Sequence, residues 1–327
     1  MADVKKNVAK VAKNVGKTGV KAVKTTAKLV KGAGKTGYKV ATSSKNAVVK
    51  AIDQNGDGYI DSSDIIIMAL KVPGVKINRE KFLRRELKRY CKKNQIDVAV
   101  ATNPSVAQID PEMINKIADE VIKFERNAVS GISVALGMPG GAAMAATIPA
   151  DIAQYYGYML RAAQKLLYLY GFPELDLRGD VQLDSETLNN LTICLGVMYG
   201  VAGANNAIKA MAKALATGVE KKLLKTALTK GTIYPIVKEI AKWFGKRMTK
   251  EVFAGFFKKA IPVAGGIIGG GLTFVTFKPC CYKLKNALKD TALTNSNHVD
   301  SEEEMNIYND IIDMDADEVL VGEDEKK

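Results

Sequence analysis

Asp53, Asn55, Asp57, Tyr59, Asp61 and Asp64 occupy positions 1, 3, 5, 7, 9 and 12 of a segment that starts at Asp53. Hard cations such as Ca2+ take several oxygen ligands, and this is the spacing by which an EF-hand loop supplies them. Asp53, Asn55 and Asp57 offer side-chain oxygens. Gly58 at position 6 permits the sharp turn, Tyr59 gives its backbone carbonyl, and Asp61 binds directly or through water. Ile60 at position 8 is the apolar residue through which such loops pair. Position 12 holds Asp64 in place of the bidentate Glu. The shorter side chain reaches less far, which lowers the expected affinity. The competing reading is an acidic Asx turn between helices that binds no ion.

Little else in the chain is equipped for chemistry. His298 is the single histidine, so a His-rich metal site is excluded and any His base must be that residue. Cys91, Cys194, Cys280 and Cys281 show no CxxC spacing and no disulfide-scaffold density, which fits a reducing compartment. No Walker pattern occurs. Gly32, Gly34 and Gly37 match GxGxxG in form, but no strand precedes them. No clear catalytic constellation is read from these residues, and whether the chain is an enzyme stays open, with binding favoured over catalysis.

Helices must position the loop. The run Asn78 to Leu87 reads as a helix, and with Val72 to Ile77 before it this offers a ligand-free partner hand. That second loop lacks carboxylates, so one ion is expected, and residues 53–93 form an EF-hand-like unit.

Charge divides the rest of the chain. The protein has 327 residues and a net charge of +13. Residues 1–50 carry 13 Lys and one acid, and residues 300–327 carry 12 acids and two Lys. Lys recurs at 6, 10, 13, 17, 21, 24, 28, 31, 35 and 39, about 3.67 residues per step, which is an 11-residue, three-turn period. On a helix these lysines fall in one stripe, with Val4, Val8, Val11, Val15, Ala22, Leu29, Ala33 and Val40 opposite. Five glycines between 16 and 37 each weaken a free helix by about 1 kcal/mol, so the arm 1–52 is expected to be helical only against something. Three settings compete: its own domain or solvent, an anionic membrane surface, or nucleic acid. The membrane setting resembles the 11-residue repeats of synucleins and perilipins. The first Arg is Arg79 and the arm has one aromatic residue, Tyr38, so nucleic acid would be held mainly through phosphates. No secretory h-region is seen in the first 50 residues, and a cytoplasmic protein peripheral to the inner face of a membrane is expected. The tail 296–327 reads as disordered and solvating, with folding back onto the Lys stripe as the alternative.

Residues 94–110 read as a linker. Asp110 and Pro111 then open a helix as N-cap and N1, with Ile114, Ile117, Val121 and Phe124 as its apolar stripe. Three uncharged stretches follow, 127–150, 187–208 and 260–277. They read as buried core helices, with membrane insertion as the alternative. Ile148-Pro149-Ala150-Asp151 through Arg161 to Leu169-Tyr170-Gly171 resembles the signature of EcsC-family proteins, in which Pro-x-Asp opens a long helix that carries an Arg and ends in Tyr-Gly. Pro262 through Gly266 resembles that family's C-terminal Pro-x-x-Gly segment. The resemblance covers about 110–292. It implies an all-helical domain, here 111–295, often linked with membranes or transport operons and without an agreed activity.

Asp151 and Arg161 are too far apart to pair on one straight helix, so each needs a partner from elsewhere. Gly171 reads as a helix C′ residue with Pro173 just after. The expected fold is all-α. The expected function is a calcium-responsive, membrane-associated binding or scaffolding protein. The alternatives are a hydrolase using Asp151 in the EcsC-like core, or a pore-forming protein using the uncharged stretches.

Overall fold

Local signals place the helices where the chain's own chemistry terminates them. Asn78 accepts from the Lys81 amide (2.9 Å) and starts a helix whose Phe82, Leu83 and Leu87 are buried. Asp110 accepts from the Glu112 amide (2.9 Å) ahead of Pro111. The computed structural model describes residues 50, 52–54, 56, 60–136, 144–177, 185–248, 265–295 and 297–324, with backbone alone for 131–136, 144–149, 151, 246–248, 265–275 and 315–324. The described residues form eleven α-helices and no strand: α1 Ser62–Leu70, α2 Arg79–Leu87, α3 Lys93–Ala101, α4 Pro111–Leu136, α5 Met144–Leu169, α6 Ser185–Tyr199, α7 Ala204–Ala216, α8 Lys221–Thr229, α9 Ile233–Met248, α10 Gly265–Lys289 and α11 Glu302–Asp324. The expected all-α class is therefore observed. Apart from residues 50 and 52, the Lys-rich arm lies outside the described residues.

The chain divides into two units, with boundaries inside α4, α5, α9 and α10. The first holds residues up to Val75, Arg126–Tyr158 and Gly245–Val275. Its α1 buries Ile65, Ile66, Met68, Ala69 and Leu70, and Ile52 is fully buried ahead of it. Gly157 of α5 belongs here. A Cβ built on it would stand 3.0 Å from Val75 Cγ2 and 3.4 Å from the Ala69 carbonyl, so the close approach requires glycine.

The second unit holds Lys76–Glu125, Met159–Phe244 and the chain from Thr276 on. Residues 94–110, expected as a linker, are mostly packed structure. Ile96 and Ala99 on α3 are buried, as are Ala107 and Ile109 beyond it. The fastening is Arg79, whose guanidinium donates to the carbonyls of Ala99, Val100, Thr102 and Phe172 at 2.6–3.2 Å. A cation on the last carbonyls of α3 satisfies acceptors that a helix end leaves open.

Ile114, Ile117 and Val121 form the buried stripe of α4 as expected, while Phe124 is 45% exposed. The helix that Pro149 and Asp151 were expected to open begins at Met144, so Pro149 lies inside α5. Its C-terminus is as expected. Gly171 has φ +95°, its amide donates to the Tyr168 carbonyl (3.4 Å), and the Phe172 amide donates to the Leu167 carbonyl (2.9 Å). These two bonds are a Schellman closure, and Leu167 and Phe172 are both buried against it.

Within the uncharged stretch 187–208, α6 is buried almost throughout, and Asn189 in its second turn donates to the Leu228 carbonyl (2.8 Å). Among the described residues no helix is long and apolar enough to cross a membrane. Helices α6, α7, α11 and α8 contact one another in a closed cycle. The acidic segment thus departs from the disorder expected of it, because Glu302–Asp324 is helical. Glu304, Ile307 and Ile311 recur at helical spacing and are buried, which gives α11 an inward face.

Candidate functional site

The 53–64 loop is built around one carboxylate. Asp61 is the N-cap of α1, and its Oδ1 accepts from the amides of Ser63 (2.7 Å) and Asp64 (3.4 Å). Asp64 lies at N3 of the same helix and is fully buried. Its Oδ2 accepts from the Asp61 amide (3.0 Å), which completes a capping box. Its Oδ1 accepts from the Gln54 amide (2.7 Å), ten residues back. Asp64 therefore clasps the beginning of the loop to its end. At the start, Asp53 Oδ1 accepts from the Gly56 amide (2.7 Å), with Gly56 at φ +77°. Lys71 Nζ donates to Gln54 Oε1 (2.6 Å) outside the clasp.

Of the six residues expected as ligands, the structure thus connects Asp61 and Asp64 directly and ties Asp64 to the backbone beside Asp53. Asn55, Asp57 and Tyr59 lie outside the described residues. The local physics explains Asp at position 12: a short acid at N3 reaches the N-cap amide. A carboxylate oxygen that accepts one N–H retains a second lone pair, so backbone bonding and cation binding by one oxygen are compatible. The donor set is oxygen throughout, which suits a hard divalent cation.

A second ionic cluster lies in the other unit. Glu125 of α4 is fully buried. Arg161 Nε stands 3.1 Å from Glu125 Oε2, and Lys165 Nζ bonds Glu125 Oε1. The ammonium group also lies 5.6 Å from the ring centres of Phe82 and Phe124, whose π faces attract it. Burial holds the Lys165 amine below its ordinary range, with Glu125 acting against that shift. Arg161 therefore has the partner from elsewhere that its spacing demanded. Both oxygens of Glu125 face a cation, which suits a packing role more than proton transfer. The Asp151 side chain lies outside the description.

Nucleophilic chemistry has poor material. Burial pushes all four thiols up, Cys194 to about 12 and Cys281 well above the ordinary value, so thiolate is scarce near neutrality. A cleft lined by Lys76, Asn78, Glu174 and Asp176 among others has Glu174 engaged: its Oε1 accepts from Asn78 Nδ2 (3.1 Å) and the Arg79 amide (3.0 Å). The chain matches no family model, no curated protein and no solved structure.

Proposed function

We propose that this is a calcium-responsive binding or scaffolding protein that attaches to anionic membrane surfaces, with Ca2+ held by Asp53, Asn55, Asp57, Tyr59, Asp61 and Asp64. The observation that supports it is the Asp64 clasp, since loop positions 1 and 12 must converge if they are to share one ion. Attachment is assigned to the Lys-rich arm, whose +12 over residues 1–50 suits an anionic surface. The resemblance of 110–292 to the EcsC family, often linked with membranes and without an agreed activity, agrees with a membrane-linked body.

Calorimetry on the full chain tests the ion. One Ca2+ site is expected, with a Kd on the order of 10⁻⁵–10⁻³ M, and none in Asp57→Ala. Equal heats in the two proteins overturn the assignment. Flotation with anionic and neutral vesicles, with and without Ca2+, tests the second half. Binding to anionic vesicles that survives deletion of residues 1–50 moves the anchor into the body.

A further inference from the structure

The chain's only histidine sits in a setting that no part of the proposed function uses. The His298 side chain is 4% exposed and lies between the end of α10 and the start of α11. Its Nδ1 is 3.0 Å from Asp290 Oδ1. Its Nε2 is 3.1 Å from Glu304 Oε2 and 3.7 Å from Asp300 Oδ1. Ionised carboxylates only accept, and a neutral imidazole has one N–H. Once Asp290 accepts the Nδ1 proton, the Nε2 lone pair faces two anionic oxygens. A proton or a metal ion between Nε2 and these oxygens relieves that arrangement.

We propose that His298 Nε2, Asp300 Oδ1 and Glu304 Oε2 are the protein ligands of a divalent transition-metal site of the Zn2+ class. The three atoms lie within 4.8 Å of one another. Ligand atoms about 2.0–2.1 Å from a tetrahedral metal stand about 3.3 Å apart, and the two distances from Nε2 bracket that value. Each ligand is also aimed by a contact on its far atom. Asp290 holds Nδ1, Lys213 Nζ bonds Asp300 Oδ2, and Lys209 Nζ is 3.1 Å from Glu304 Oε1. The carboxylate on the imidazole is the partner that metal-binding histidines ordinarily have, since it fixes the tautomer and raises ligand basicity.

Further groups surround the site: Asn295 Nδ2 donates to Asp290 Oδ1 (3.4 Å), and Lys213 Nζ lies 4.9 Å from the Tyr308 ring centre. Lys209 also lies 3.4 Å from Asp290 Oδ2, Lys213 lies 2.9 Å from Met305 Sδ, and the Ser301 amide donates to Glu304 Oε2 (3.2 Å). One nitrogen with two oxygens selects Zn2+, Co2+ or Ni2+ over Ca2+, which prefers oxygen alone. The two lysines neutralise part of the acid charge, so binding weaker than that of thiolate-rich structural zinc sites is expected. Three protein ligands leave the fourth position to water.

Because the chain has one histidine, the ring proton resonances of the untagged full chain report on this site alone. Added Zn2+ should shift them and saturate at one equivalent, and excess Ca2+ should not reverse the shift. Co2+ should give visible absorption bands at one equivalent, retained in Asp57→Ala and lost in His298→Ala. Asp290→Asn should weaken binding by about 10–100-fold. Ring resonances that titrate with pH yet ignore Zn2+ overturn the proposal and leave a proton as the cation. Equal Co2+ spectra from the wild type and His298→Ala overturn it as well.

Discussion

The 53–64 loop and the 290–304 segment both gather carboxylates at the start of a helix, and each uses a capping box to do so. Asp61 and Asp64 form one, and Ser301 and Glu304 form the other, with Ser301 Oγ accepting from the Glu304 amide (3.2 Å). They differ in what holds the acids. In the loop the partners described are backbone amides, which satisfy a carboxylate without cancelling its charge. Around His298 the acids meet Lys209 and Lys213, which do cancel it, and the imidazole ring. An acid held by amides still attracts a hard cation. An acid held by ammonium groups has little left to offer, so metal binding there depends on a ring nitrogen.

Glu125 marks the buried extreme of the side-chain-held kind, and the largest effect is expected there. Glu125→Ala strands Lys165 and Arg161, and chemical denaturation should record a loss of about 3–5 kcal/mol. A loss below about 1 kcal/mol means that the two cations find other partners. Next comes the contrast itself. Asp64→Ala forfeits two amide bonds to a buried charge and should cost about 3 kcal/mol, while Glu304→Ala should cost about 2 kcal/mol. In a Lys209→Ala background the cost of Glu304→Ala should fall while that of Asp64→Ala stays in place. An unchanged Glu304→Ala cost in that background would erase the distinction between the two regions.

The smallest effect is a titration. The hydrogen bond from His298 is the main cause that holds the Asp290 carboxyl below its ordinary value, with Lys209 adding to it. Its contribution is therefore present above the unfolded value of about 3.9 and fades as pH falls through the lower folded value. Carbon-detected NMR on metal-free protein should find Asp290 protonating at lower pH than an exposed Asp. In His298→Ala that midpoint should rise toward the ordinary value. No change in the variant would mean that the imidazole contributes nothing to the shift.

What was legible in the sequence was local. Asn78, the Asp110-Pro111 pair and Gly171 act on amides and carbonyls within five residues, so their type and position suffice to place helix ends. Helix α3 was not legible. Its nine residues carry only a short apolar face, and the fastening by Arg79 comes from 20 or more residues away. The Glu125 partners lie 36 and 40 residues distant, across two helices, where no spacing rule connects them. Asp53 and Asp61 were readable as candidate ligands, yet the role of Asp64 as a clasp on Gln54 was not. His298 sat in plain view, and Ser301-x-x-Glu304 just after it is a capping-box signature that marks the helix start. The lysines that complete its surroundings are 85 or more residues earlier.

The cycle of α6, α7, α11 and α8 has a consequence for synthesis. Three of its members precede α9, and the fourth is the last of the described helices. The bond between Lys213 and Asp300 spans 87 residues, so the inner faces of α7 and α8 wait for their cover. At roughly 5–20 residues per second that wait is on the order of ten seconds. During it the nascent chain carries an unfinished apolar groove, which is the kind of surface that folding helpers and neighbouring nascent chains compete for. A ribosome stalled near codon 295 would leave a product with most of its helices formed and that groove open.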